Sequence, residues 1–479
     1  MLRNNDHASS YRDLRREHWD TVACKKDNWT SWGAYYHKRL THIYQFLVAP
    51  GQRVLEIGCA TGDLLGALKP TLGVGIDFSG EMVKRAAQRH PQLCFIQCDA
   101  HNLSLNQKFD VIILSDVVND LWDVQAVFKE IARLSTTRTQ IVINTYSRVW
   151  ELPLVLAQRL DLATPTLGQN WLTVEDLAGL LSLADFEVIR YWPEILWPIE
   201  TPVLAGFFNR LVAKVWPFKY FNLTNFIIAR PRPTSHPLDK KPLVSVIVPA
   251  RNEAGNIPNI FARTPEMGRG TELVFVEGHS RDDTYSVIKK EITDHPHRRC
   301  KLLQQTGAGK GDAVRLGFAN ASGDILMILD ADLTVSPEDL PRFYDVLLSG
   351  KGDFVNGVRL VYPMEDQAMR YLNMVGNKFF SLAFSWLLGQ PIKDTLCGTK
   401  VLWKSDYEMI AANRGYFGDF DPFGDFDLLF GAAKLNHKIV GLPIRYRERT
   451  YGTTNIQRWK HGWLLLRMVL FAAGRIKFV

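Results

Sequence analysis

Two aspartates one residue apart, Asp330 and Asp332, close the apolar run Ile325 to Leu329 in the stretch GDILMILDADLTVSPEDLP. Carboxylates this close at the mouth of a buried strand repel each other unless a cation offsets them. Hard oxygen ligands of this kind suit Mg²⁺ or Mn²⁺, and such an ion would stabilise a departing diphosphate. Taken singly, an Asp-x-Asp pair also fits a helix cap. Its place in the chain favours the ligand reading. Upstream lie LVSVIVPARNE, ending through Pro249 and Glu253, and LVFVEG, ending at Glu277. Between them and the pair comes GAGKGDAV, a glycine-bracketed loop with Lys310 and Asp312.

A second set of residues with chemistry lies earlier. RVLEIGCATGDLL reads as strand, glycine turn and helix start, with Gly58 and Gly62 letting the backbone bend sharply and a ligand lie against it. The next apolar run ends at Asp77, where an acid can bind both hydroxyls of a ribose. LCFIQCDA ends at Asp99, placed to accept from an adenine amino group, and FDVIILSD ends at Asp116. Asp116, Asn119 and Asp120 lie at the end of this last strand, and the preferred reading of all three is capping of the helix that follows.

Positioning these residues requires strand-helix alternation, and the sequence supplies it twice. RVLEIG, GVGID, FDVIILS and TQIVINTYS alternate with helical patterns; after ARPRPTSHPLDKKP the alternation restarts with LVSVIVPA, ELVFVEG, DILMILD and FVNGVRL. The proline-rich stretch is a linker. The chain of 479 residues divides into 1–230, a linker at 231–242, 243–455 and a basic segment 456–479, with an α/β fold and mainly parallel sheets in both halves. A composition of 46% hydrophobic and 22% charged residues excludes a disordered chain. Six cysteines without paired spacing imply free thiols in a reducing compartment. The polar N-terminus shows no signal peptide, and no apolar run reaches the roughly 20 residues of a spanning helix.

The glycine turn followed by acids at successive strand ends resembles class I S-adenosylmethionine-dependent methyltransferases over about residues 40–230. Their E-x-G-x-G-x-G motif corresponds here to Glu56-Ile57-Gly58-Cys59-Ala60-Thr61-Gly62, with Ala60 in place of the middle glycine. The resemblance implies a Rossmann-like sheet and S-adenosylmethionine as cofactor. The methionine moiety would lie near Glu56, Gly58 and Gly62, ribose on Asp77 and adenine beside Asp99, with Asp116 completing the set. NAD is the competing ligand, but its G-x-G-x-x-G pattern fits less well.

The order of acid-tipped strands, Lys/Asp loop and Asp-x-Asp resembles the GT-A glycosyltransferases of family 2 over about 243–455. That implies a nucleotide-diphospho-sugar transferase fold and an inverting, metal-dependent transfer. Asp330 and Asp332 would hold the metal, Asp332 also being a catalytic candidate. Pro249, Glu253, Glu277 and Asp312 would cradle base and ribose; Lys310 and Arg359 would approach donor or phosphates. The segment NKFFSLAFSWLLGQPIKDTLCGTKVLWK is similar to dolichyl- and polyprenyl-phosphate sugar synthases, matching at Asn377, Gly389, Asp394, Cys397, Gly398 and Lys400. A sugar hydroxyl as acceptor would need a carboxylate base, for which Asp394, Asp425 and Asp427 are candidates. A lipid phosphate needs none. The plain reading of Asp394 is a buried partner of Lys393 or Lys400. Arg445, Arg447 and Arg449 suit an acceptor phosphate.

The net charge of +7 concentrates at 438–479, where nine basic residues face one acid, Glu448. Tryptophans 459 and 463 among these cations suit a lipid headgroup surface rather than nucleic acid. The alternative is that this helix packs on its own protein. The sequence thus points to a bifunctional enzyme, cytoplasmic and peripheral at the inner face of a membrane. It would move a hexose from a GDP- or UDP-sugar to polyprenyl phosphate. Two alternatives stand beside it. One is transfer to a glycan hydroxyl with sugar O-methylation; the other is a scaffold with an inactive first domain.

Overall fold

The computed structural model describes residues 2–26, 33–160, 163–233, 240–359, 361, 371–416, 425–447, 449, 451 and 458–478, with side chains described from Ser9 and, in the later helices, from Gly376, Phe426 and Trp463. The chain forms two compact units: residues 1–232 together with 478–479, and residues 233–477. The division between them lies at Arg232–Pro233.

In the first unit seven strands form one sheet: β1 (Arg53–Ile57), β2 (Leu72–Asp77), β3 (Cys94–Gln97), β4 (Val111–Ser115), β5 (Gln140–Tyr146), β6 (Phe186–Glu194) and β7 (Thr224–Pro231). Their order is β3-β2-β1-β4-β5-β7-β6. The first five are parallel, and only β7 runs against its neighbours. Apolar residues occupy both faces of the central strands. Leu55, Ile57, Ile112, Leu114, Ile141 and Ile143 enter one core, while Val54, Val111, Ile113 and Val142 enter the other. This explains why these strands read as continuous apolar runs rather than alternating ones. Ile57 pairs with Ile76 and with Leu114, so β1, β2 and β4 end level, and the residues after them share one edge.

The second unit also carries seven strands: β8 (Val244–Ala250), β9 (Thr271–Glu277), β10 (Arg299–Gln304), β11 (Ile325–Ile328), β12 (Phe354–Val358), β13 (Lys400–Trp403) and β14 (Ile439–Pro443). Their order is β10-β9-β8-β11-β13-β12-β14. The parallel block β10-β9-β8-β11 levels Ala250 with Glu277 and Ile247 with Ile328. Strand β13 runs antiparallel to β11 and β12, which brings Cys397–Thr399 alongside Asp330. Both units are thus α/β, each built on a seven-stranded mixed sheet with a parallel block.

Candidate active sites

The residues after β1, β2 and β4 converge as expected in the first unit. Gly58 and Gly62 have φ of +72° and +74°, the left-handed region that glycine enters without penalty. A Cβ on Gly58 would stand 2.6 Å from Val117, and one on Gly62 would stand 2.6 Å from Phe95. Ala60 also lies left-handed, at +44°, and its N–H donates to Asp77 at 2.9 Å, so the alanine in the motif is accommodated. Asp77 accepts a second bond from Ser79 N at 2.9 Å.

Burial pushes the Asp77 carboxyl up to about 6, against the pull of its backbone donors. Glu56, which accepts from Leu65 N at 3.2 Å, is pushed by burial up to about 8. Glu56, Gly58, Asp77 and Asp116 line one cavity of about 790 Å³. Asp99 lies in a smaller neighbouring cavity that also reaches Asp77. Its carboxylate accepts from Arg12 at 2.8 Å and lies 2.7 Å from His101 Nδ1, which together hold it far below the usual range. Arg12 belongs to the helix Leu2–Lys26, which crosses this end of the site, with Tyr11 stacked edge-on to Trp122.

The capping reading of Asp116, Asn119 and Asp120 is corrected by the structure. The cap of the helix Val124–Leu134 is Asp123, which accepts from Ala126 N at 3.0 Å. Asp116 adopts φ +54° and holds the Tyr36 hydroxyl, 3.0 Å from both carboxylate oxygens, and Asn144 Nδ2 at 2.6 Å. Burial raises it to about 7. Asn119 accepts from Thr145 instead, and Asp120 faces Arg15. Tyr36 and Asn144 were missed because they lie 80 and 28 residues from Asp116, and no local spacing signals either contact.

In the second unit Asp330 and Asp332 follow β11 as expected, and each carries a cation from the protein. Lys310 Nζ lies 2.6 Å from Asp330, and Arg449 Nη2 donates to Asp332 at 2.7 Å. Burial alone would raise Asp330, but the Lys310 ammonium and the more distant Lys400 and Arg359 bring it below its ordinary value. The other oxygen of Asp332 accepts from Thr334 N and Oγ1 at 3.1 and 2.8 Å. Arg449 also reaches Glu253 at 3.3 Å; burial pushes that carboxyl up to about 7, the arginine opposing. A side chain on Gly398 would collide with both Asp330 and Lys310, so the glycine makes room for the pair.

Glu277 and Pro249 reach the same sheet edge, but Glu277 is buried and accepts from Ser280 N at 2.5 Å. Asp312 accepts from Gly307 N at 3.1 Å, closing its own loop. Arg445 and Arg447 lie exposed, and with Arg342 they line a separate cleft beside Ser336 and Glu338. Arg449 is thus parted from them: it joins the carboxylate couple instead.

Four expectations fail. Asp394 has no exposed surface; it accepts from Arg359 Nε, Nη2 and N at 2.7, 2.9 and 3.0 Å and from Asn377 at 3.1 Å. A carboxylate so enclosed cannot receive a proton from an acceptor, and the Arg359 guanidinium is not available to a donor. Its partner is neither Lys393 nor Lys400. Asp427 accepts from Arg414 Nε at 2.7 Å and is buried, which removes it as a base as well. The Asp425 side chain and Glu448 lie outside the described residues.

At the C-terminus the helix Arg458–Ala472 buries Leu465, Met468 and Ala472, so one face packs within its own unit; Trp463 and Leu470 remain exposed, as do Phe379, Leu382 and Trp386. The Trp459 and Arg458 side chains are outside the described residues. Among the described residues no helix is long and apolar enough to cross a membrane.

Comparison with known proteins agrees with this geometry. The family model for glycosyl transferase family 2 matches residues 245–408, and a methyltransferase domain model matches 49–179. Glycosyltransferase AglJ of Haloferax volcanii is 27% identical over 224 residues, covering 46% of this chain and 69% of that protein. An undecaprenyl-phosphate 4-deoxy-4-formamido-L-arabinose transferase of Pseudomonas aeruginosa is 28% identical over 183 residues, 37% of this chain and 51% of its own. A dolichol-phosphate mannosyltransferase of Pyrococcus furiosus is 34% identical over 220 residues, 45% of this chain and 59% of its own. The chain therefore spans about half to two-thirds of the length of these relatives. It is a transferase in which a methyltransferase domain precedes a family 2 glycosyltransferase domain.

Proposed function

We propose that the second unit transfers a hexose from a nucleoside diphosphate to a polyprenyl phosphate, and that the first unit binds S-adenosylmethionine. The observation that carries the transfer reading is the carboxylate couple at the end of β11 with a side-chain cation on each member, Lys310 and Arg449. Their donor set is all oxygen and doubly negative, which fits Mg²⁺ or Mn²⁺. Such an ion, bound by Asp330 and Asp332, would neutralise charge on the departing diphosphate. Lys310 and Arg449 are then the chain's own groups for the phosphate oxygens, while Glu253, Asp312 and Pro249 border the nucleoside end.

Two of the candidate bases are enclosed in ion pairs, with Arg359 and Arg414, and this favours a phosphate acceptor over a sugar hydroxyl. Arg445 and Arg447 would meet that phosphate. The likeness to an undecaprenyl-phosphate sugar transferase and a dolichol-phosphate mannosyltransferase supports the same acceptor class. The exposed apolar side chains Phe379, Leu382, Trp386, Trp463 and Leu470 support docking at a membrane surface, where such an acceptor resides.

In the first unit the residues fit the cofactor. Asp77 borders both cavities, so a ribose there would join an adenine beside Asp99 to a methionine chain near Glu56 and Gly58. The cofactor would supply an electrophilic methyl group; the chain's part is to hold it and to seat the acceptor. A screen of UDP- and GDP-hexoses with Mg²⁺ or Mn²⁺, with and without polyprenyl phosphate, tests the transfer. Product formed equally well on a free saccharide would point to the glycan alternative.

A further inference from the structure

The larger cavity of the first unit extends well beyond the strand ends that fit the cofactor. Its far wall is apolar: Trp150, Leu154, Ala157, Trp197, Ile199 and Phe208. Its polar floor is Asp116 with Tyr36 and Tyr146. None of the described lining residues is Lys or Arg, whereas Glu56, Asp63, Asp77, Asp116 and Asp120 all contribute. An anionic head would find no Lys or Arg among these described lining residues to pair with. A neutral hydroxyl has the Asp116 carboxylate to donate to.

The wall continues outward as an exposed surface. The helix Glu151–Arg159, ELPLVLAQR, carries an unbroken apolar run from Leu152 to Ala157 and buries no residue. Leu154 and Ala157 line the cavity, while Leu152, Val155 and Leu156 are exposed, Leu152 at 80%. The helix Leu204–Arg210 repeats the pattern: Phe208 lines the cavity, and Leu204 and Phe207 face out. Val203, Trp216, Phe218, Tyr220 and Phe221 extend this second exposed group, Trp216 at 72%. Trp150 Nε1 donates to Phe221 O at 2.7 Å, so the two groups are one surface.

Contiguous apolar exposure on this scale marks an interaction site. The charges choose between a lipid and a neutral protein surface. Arg148, Arg159 and Arg210 stand exposed at the rim with Lys219 beside Tyr220, and Glu151 is the one acid in segments 148–160 and 203–221. Cations and aromatics around an apolar centre suit an anionic bilayer.

We propose that this cavity takes a membrane lipid with an uncharged hydroxyl head, admitted through the apolar rim at 149–160 and 203–221 and seated with its hydroxyl against Asp116. The inference is independent of the glycosyl-transfer reading, whose acceptor is a phosphate. It assigns the two units lipid partners of different head chemistry.

The test uses the full chain and a diazirine-bearing farnesol, presented either in phosphatidylcholine/phosphatidylglycerol vesicles or in detergent, with adducts mapped by peptide mass spectrometry. Adducts are expected within 150–157 and 197–208, displaced by farnesol and not by farnesyl phosphate. Ala157→Trp, which fills the wall, should reduce them about tenfold in both presentations. The surface pair Leu152→Glu and Trp216→Glu should reduce vesicle-delivered labelling by about tenfold and leave detergent-delivered labelling intact, circular dichroism confirming the fold. Labelling confined to 371–478, equal displacement by farnesyl phosphate, or unchanged vesicle labelling in the rim variant would each overturn the proposal. The last result is the one expected if a protein, not a bilayer, covers this rim.

Discussion

The two units pose the same problem and solve it in opposite ways. Each ends apolar, parallel strands in carboxylates at one sheet edge, where like charges and low polarity oppose ionisation. In the first unit burial prevails, and Glu56, Asp77 and Asp116 are pushed up to about 8, 6 and 7. In the second unit cations, Lys310 and Arg359, hold Asp330 and Asp394 below their ordinary values, while Glu253 there is still raised by burial and Asp99 of the first unit is conversely held low by His101 and Arg12. One site is an apolar chamber with neutral or near-neutral acids; the other is a polar cleft of matched charge. An apolar strand ending in aspartate therefore does not fix the charge state of that aspartate. What faces it from elsewhere in the fold does.

The sharpest way to break this contrast is at Asp332. Asp332→Asn should lower hexose transfer by roughly a thousandfold, because it removes a charge that the proposed metal and Arg449 would share. The test is radiolabelled transfer, and near-normal turnover would remove the metal assignment. The next effect is on stability. Arg359→Leu leaves Asp394 charged and buried, which should cost roughly 3–5 kcal/mol in the unfolding of the second unit, measured by denaturant titration. A loss of turnover without destabilisation would return Arg359 to the donor site.

A third prediction sets the units against each other by pH. Raised carboxyls bind more protons folded than unfolded, so the first unit should lose stability as pH rises from the ordinary carboxylate range through about 8. Lowered carboxyls bind fewer protons folded, so the second unit should keep that contribution above the ordinary range and lose it as pH falls below. Calorimetry should show the first unit's transition falling as pH rises above the ordinary carboxylate range and the second unit's falling as pH drops below it, apart from the contribution of the raised Glu253; a second-unit transition unmoved at low pH would dissolve the comparison. The smallest effect is expected from Arg12→Ala. Its pair with Asp99 is part-exposed, and its removal should cost under about 1 kcal/mol by thermal unfolding.

Much of the site was legible because it lies at strand ends. Gly58, Asp77, Asp330 and Asp332 follow short apolar runs, and a parallel sheet with level registers brings such positions together. Pairings across long separations were not legible. Asp394 shows the limit: its neighbours in sequence, Lys393 and Lys400, suggested a partner, while the bond goes to Arg359, 35 residues away. Asp116 likewise resembled a cap because it precedes a helix, but the cap fell to Asp123.

By itself the sequence determined the two α/β units, their boundary and which acids stand at the strand ends, since periodicity and turn chemistry are local properties. Only the tertiary structure decided which acids are paired, which are buried neutral and which can meet a ligand. Charge state depends on distance to groups that any separation along the chain can bring close, and that distance is set by packing.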